Sequence, residues 1–191
     1  VNYFREYEPT YRKILEKIKV GLVGFPIKLV IHYTKGINNN GSHFLKYILN
    51  FMGNFQSLDI ISHGRLWEGK DPEPDIHIQF EKGEAYFIAH SEENYSFYEM
   101  DIIGPEGKLR YSKLGSLIEY HKVVVDHDCK DYRVLSENPE LFHPDLKKYQ
   151  LYVYDNIFNH LSGKGELYCD LNSLKQTVSI FEKLEEEIKF V

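Results

Sequence analysis

Only two cysteines, Cys129 and Cys169, occur in 191 residues, too few and too far apart for a disulfide framework. They fit a reducing compartment, and cytoplasm is the expected location. Apolar runs are short. Candidates such as 29–31 and 123–125 are strand-sized against the roughly 20 residues a bilayer span needs, so no membrane partner is expected. A basic excess is missing too: 23 Lys and Arg face 29 Asp and Glu, a net charge of −6. That argues against a sequence-independent hold on nucleic acid or anionic lipid. There is no Gly-x-Gly-x-x-Gly and no phosphate loop. Gly21-Leu22-Val23-Gly24 follows a helical pattern and so lies on the wrong side for a strand-to-helix phosphate turn. Cys129 stands after Val125-Asp126-His127-Asp128 without a Cys-x-x-Cys or a zinc-like His spacing, so no metal is expected. No Ser sits in a nucleophile elbow, and neither Cys has an activating neighbourhood, which leaves hydrolase chemistry without support. The chain starts at Val1 with no initiator Met, basic n-region or apolar h-region, so a processed end or a cut through a longer protein is expected.

What is present is aromatic: 15 Tyr, 12 Phe and one Trp make 15% of the chain, a lean toward β-structure in a globular composition. Tyr11, Ile14, Leu15 and Ile18 recur at helical spacing after Pro9 and before Gly21, predicting a helix over 8–20. Residues 27–34 read as a strand and 35–43 as a loop. Phe44, Leu45, Ile48, Leu49 and Met52 then form the stripe of a second helix ending at Gly53, with Asn40 as its expected N-cap and His43 in its first turn. From 55 to about 135 the pattern is an antiparallel meander. The clearest strand is 75–81, where Ile76, Ile78 and Phe80 alternate with polar residues before a turn at Lys82-Gly83. A hairpin is centred on Gly104-Pro105-Glu106-Gly107, and 117–125 adds another strand. Two helices close the chain. One carries Leu146, Tyr149, Val153, Ile157 and Leu161 on a shared face; the other carries Leu174, Val178, Phe181 and Ile188, capped by Asp170 or Asn172. Strands grouped apart from helices predict an α+β fold, an open, mostly antiparallel β-sheet with helices packed on one face.

The chemistry concentrates in 35–43, where three Asn, two Gly, a Ser and a His lie between a strand and an amphipathic helix. Adjacent amides offer donors and acceptors suited to hydroxyl-rich ligands, and the N–H groups of a helix start add donors. A His there would feel the positive helix end, which lowers its pKa and keeps the imidazole neutral, as a general base requires. The competing reading is a capping loop, since Asn and Gly are ordinary turn residues. The remaining His residues, Trp67 and the run Glu185-Glu186-Glu187 read more simply as surface or core.

These residues carry a resemblance. Val1-Asn2-Tyr3-Phe4-Arg5, Glu8-Pro9-Thr10-Tyr11, a helix and then Gly21-Leu22-Val23-Gly24-Phe25-Pro26 resemble the interdomain crossover of the Gfo/Idh/MocA family of sugar and inositol oxidoreductases. Gly36-Ile37-Asn38-Asn39-Asn40-Gly41-Ser42-His43-Phe44-Leu45 is similar to the family's Asn-Gly-Ser-His segment, 101–109 to its late hairpin, and the helix through 174–181 to its last helix. The resemblance implies the C-terminal, substrate-binding domain of such an enzyme. Residues 1–26 would be the crossover and helix from a missing N-terminal Rossmann domain, and 27–191 the substrate-binding and oligomerisation domain. NAD or NADP would serve the full-length protein, with no cofactor-binding residue in this chain, and the exposed sheet face would build a homodimer or tetramer. His43 matches the family His that exchanges a proton with the sugar hydroxyl. Asn39 stands where many members carry an Asp; it can orient a hydroxyl but cannot act as an acid or base. Lys35, Asn38 and Asn40 are candidate substrate contacts by composition and position alone. The expected function is hydride transfer between a nicotinamide and a sugar, cyclitol or nucleotide sugar. The alternative is a non-enzymatic ligand-binding or assembly module of the same fold.

Overall fold

The computed structural model describes residues 2–188. Helix α1 (Pro9–Lys19) starts as its residues dictate. Pro9 fills the first position, where no N–H is needed, and the Glu8 carboxylate accepts the Tyr11 N–H at 2.8 Å. Tyr11, Ile14, Leu15 and Ile18 are its buried face. Strand β1 (Ile27–Tyr33) follows, then a π-helical turn (Gly36–Gly41) and α2 (Ser42–Ile48). The middle of the chain is a run of strands: β2 (Phe55–Trp67), β3 (Asp71–Phe80), β4 (Gly83–Ala89), β5 (Tyr98–Gly104), β6 (Gly107–Ser112), β7 (Leu117–Val125), β8 (Arg133–Leu135) and β9 (Glu140–Phe142). Helices α3 (Tyr149–Leu161) and α4 (Leu171–Ile188) complete it.

Among the described residues the strands form one sheet in the order β2-β3-β4-β1-β5-β6-β7-β8, with β9 also paired to β7. Every pairing is antiparallel except β1 with β4, because β1 inserts between β4 and β5. The fold is therefore the α+β class with an open, mostly antiparallel sheet. Alternation sorts the two faces. Leu29, Ile31, Tyr33, Ile76, Ile78, Phe80, Met100 and Ile102 point into a core shared with Ile14, Ile18, Phe44 and Ile48 from the helices and with Met52 from the turn after α2. Among the described residues the opposite face carries no helix, and it is charged. Lys28 pairs with Glu84 at 2.8 Å, Lys108 with Asp101 at 2.7 Å, and His77 bridges to Glu84 at 2.9 Å.

Three expectations change in detail. The second helix ends at Ile48; Phe51 and Met52 stay buried in the turn that follows it. Leu146 falls in a 3-10 turn (Leu146–Lys148) ahead of α3; it and Tyr149 and Val153 of α3 are half-buried, but Ile157 and Leu161 are exposed and the buried residue of the helix is Asn156. That amide holds the next loop, donating to the Glu166 carbonyl at 2.9 Å and accepting the Tyr168 N–H at 3.2 Å. Periodicity reports an apolar stripe, not whether anything covers it. In α4 the buried face is Thr177, Ile180 and Leu184, so Val178 is turned outward, while Asp170 caps the helix by accepting the Ser173 N–H at 2.7 Å.

Candidate functional site

The site is built where β1 runs into α2. Lys35 takes a left-handed backbone conformation (φ 65°) and reverses the chain. Gly36 continues it at φ 82°, and a Cβ at that position would collide with the Asp71 carboxylate, so glycine is required twice over. The π-helical turn then feeds directly into α2 with no side-chain cap. Asn40 is therefore not the N-cap, and 36–41 is helical rather than an open loop. The turn is held from β3 instead. Asp71 accepts the Asn38 N–H at 3.1 Å and the Asn38 side-chain amide at 3.2 Å on one oxygen, and the Asn39 N–H at 3.1 Å on the other. Glu73, buried, accepts the Gly36 N–H at 3.2 Å and the Arg65 guanidinium at 2.6 Å. Partial burial raises the Asp71 pKa against the lowering effect of those N–H donors. The donors assigned to a ligand from composition are thus largely taken by Asp71 and Glu73.

His43 lies in the first turn of α2, as expected, between two aromatic rings. Tyr3 and Phe4 meet it edge-on, with centroids 5.1 and 5.6 Å away. Its Nδ1 is buried with no hydrogen-bond partner among the described residues. The pKa is lowered to about 4, first by burial and then by the Arg5 guanidinium. The neutral imidazole is thus as expected, but the cause is desolvation and a neighbouring cation rather than the free positive end of a helix. Arg5 is itself pinned over Tyr98, 3.6 Å from the ring centroid. The 3-10 turn that begins at Phe4, directly after Tyr3 (Phe4–Tyr7), is anchored by Glu6, whose carboxylate takes both contacts of buried Lys46 at 3.0 Å and the Asn50 amide at 2.7 Å.

A cleft of about 370 Å³ opens between Tyr3, Asn38 and Ser42 on one wall and Thr177, Val178 and Phe181 of α4 on the other; His43 is next to it through Ser42 and Tyr3 and is not itself in the lining. The walls are mainly apolar with a few polar groups, the ordinary make-up of a small-molecule site. Thr177 contributes a buried Oγ1 without a partner among the described residues.

Of the residues singled out from the sequence, Asn38 lines this cleft and His43 touches Tyr3 in its wall. Asn39 is exposed; its backbone N–H is held by Asp71 and its carbonyl accepts the Ser42 hydroxyl at 2.7 Å. Lys35 turns away to Glu92 at 3.1 Å, and Asn40 is half-buried in the turn. Asp71, Glu73, Arg5, Lys46 and Thr177 were not foreseen. Only the alternation of acids in Asp71-Pro72-Glu73-Pro74-Asp75 hinted at carboxylates on one strand face.

No protein-family model and no curated protein matches the chain. Solved structures do match its fold. The WlbA dehydrogenase from Bordetella pertussis, solved in complex with NADH and UDP-GlcNAcA, superposes with a TM-score of 0.69 at 13% identity over 98% of this chain and 61% of its own. The UDP-N-acetylglucosamine 3-dehydrogenase GnnA from Acidithiobacillus ferrooxidans gives a TM-score of 0.68 at 10% identity, covering 94% and 58%. An oxidoreductase from Sinorhizobium meliloti gives 0.68 at 8% identity, covering 93% and 59%. At such identities the likeness is one of fold. The chain spans about three fifths of the length of these structures.

Proposed function

We propose that this chain is the substrate-binding part of a nicotinamide-dependent oxidoreductase that moves hydride between the cofactor and a sugar, cyclitol or nucleotide-sugar carbon. The observation that carries the reading is His43: a neutral imidazole in the first turn of α2, wedged between Tyr3 and Phe4 beside a cleft. The shared fold with WlbA and GnnA supports it, since one was solved with a nicotinamide and a nucleotide sugar and the other is named for a nucleotide-sugar oxidation.

In this reading a substrate hydroxyl lies in the cleft within reach of His43. The imidazole, neutral well below pH 7, accepts the hydroxyl proton as the carbon is oxidised and returns it when the carbonyl is reduced. Tyr3 and Phe4 keep water from the ring and fix its plane. Asn38 and the exposed Asn39 side chain orient hydroxyls without exchanging protons, and Lys35 and Asn40 flank them. When bound, the nicotinamide supplies or takes the hydride. The described residues do not fit it: Gly21–Gly24 follows α1 rather than preceding a helix, so no pyrophosphate cradle is formed there. Residues 1–26 would then be the crossover from a Rossmann domain and 27–191 the substrate domain, with the helix-free sheet face pairing copies of the protein. That face interleaves its ion pairs with Val30, Tyr86 and Ile88, which a second copy would cover.

A second reading, a non-enzymatic module of this fold, draws on Asn39, an amide at a position where many members of the family it resembles carry an acid. Nicotinamide-dependent oxidation of UDP-N-acetylglucosamine and related sugars by the protein containing this chain, and its loss in His43→Ala, separates the two. Absence of NADH binding by that protein would favour the module.

A further inference from the structure

We propose that Asp71 is a positioning residue that sets the polarity of the cleft, so that the site selects ligands presenting a hydroxyl donor to Asn38. An ionised carboxylate only accepts hydrogen bonds, so an amide facing it must present its NH2 group. Asp71 takes the Asn38 backbone N–H and the Asn38 side-chain N–H on the same oxygen, at 3.1 and 3.2 Å, and the Asn39 N–H on the other at 3.1 Å. The amide of Asn38 is therefore locked in one of its two flips. Its carbonyl oxygen, without a partner among the described residues, is the acceptor that this cleft-lining side chain keeps for a ligand.

Two features show that this contact is built rather than incidental. Gly36 lies so close to Asp71 that any side chain there would overlap the carboxylate, so the turn and the acid are fitted to each other. Next along the same strand face, Glu73 is 1% exposed and accepts the Gly36 N–H, giving the turn a second carboxylate anchor. Both acids come from β3, paired with the long strand β2 in a hairpin remote in sequence from the Asn run. An unforeseen hairpin thus orients the residues first singled out for chemistry. The selectivity half of this inference rests on reading the cleft as the substrate site; the positioning half does not.

The test compares wild type with Asp71→Asn and Asp71→Ala in the protein that contains this chain. Hydrogen exchange of residues 36–41 is the first readout. Faster exchange there by at least about tenfold in Asp71→Ala, with β4 and β5 still protected, is expected if Asp71 holds the turn. Unchanged exchange overturns the proposal. Asp71→Asn keeps one acceptor oxygen and the shape, so it should fold even if Asp71→Ala does not, and its exchange should fall between the two. The second readout uses UDP-N-acetylglucosamine as probe. Loss of the fixed amide should raise KM about tenfold and leave kcat within about twofold, because His43 is untouched. An equal fall in kcat with unchanged KM would contradict selectivity through Asn38. If wild type neither binds nor turns over the probe while the exchange result holds, the functional reading fails and the positioning of the turn by Asp71 stands.

Discussion

Replacing Lys46 by Met should be among the most damaging single changes in the molecule. The Lys46 ammonium is 2% exposed and meets both oxygens of Glu6, itself 5% exposed, at 3.0 Å. Deleting the cation strands a buried carboxylate whose sole remaining side-chain donor among the described residues is Asn50 at 2.7 Å. Removing one member of a buried pair costs about 3–5 kcal/mol, which at this chain length lowers the melting temperature by about 10 °C. Replacing both, as Glu6→Leu with Lys46→Met, should recover most of that loss, because Asn50 keeps its bonds to the Lys46 and Tyr47 carbonyls at 3.1 Å. The pH dependence has a definite sign. Burial already raises the Glu6 pKa against the pull of Lys46. Without Lys46 it rises further, so the native state of the variant takes up a proton that the unfolded chain takes up only at lower pH. The resulting stabilisation is complete below the unfolded carboxylate pKa and is lost as pH rises through the folded one. Urea unfolding should therefore show a smaller deficit at pH 5 than at pH 8. A deficit under about 1 kcal/mol at pH 8, or a double variant as unstable as the single one, would refute the reasoning.

His43 has its own acid signature. Its folded pKa of about 4 lies below that of the unfolded chain, about 6.5, so only the unfolded state gains a proton between them and stability falls as pH drops through that window. Between pH 7.5 and 5, wild type should lose about 2 kcal/mol more than His43→Gln, and parallel pH profiles would contradict the burial of the ring. Glu8→Ala should cost about 2 kcal/mol in chemical denaturation, since Glu8 is buried and serves two backbone donors, Tyr11 at 2.8 Å and Asp145 at 3.1 Å. A change under about 0.5 kcal/mol would show that water replaces the carboxylate at both.

Local physics made much of this architecture legible. Pro9 with the Tyr11, Ile14, Leu15, Ile18 stripe, the alternation of Ile76, Ile78 and Phe80, and the Pro105-Glu106 turn each encode their element within a few residues. What stayed hidden depends on partners far along the chain. The Asn run reads as open donors until Asp71 and Glu73, more than 30 residues away, are found on them. The low pKa of His43 was anticipated through the helix dipole, but a seven-residue helix continuous with a preceding turn offers no free end, and burial by Tyr3 and Phe4 takes its place. The outward turn of Leu161 and Val178 was equally unreadable, because a stripe of apolar residues does not state what covers it.

The central claim is that His43 handles the proton of a sugar-type oxidation, and turnover tests it most directly. In the protein that contains this chain, nicotinamide reduction with a panel of sugars and nucleotide sugars should be measured for wild type and His43→Ala. In His43→Ala, kcat should fall at least about 10²-fold with the fold intact by circular dichroism. Unchanged turnover in His43→Ala would contradict that claim.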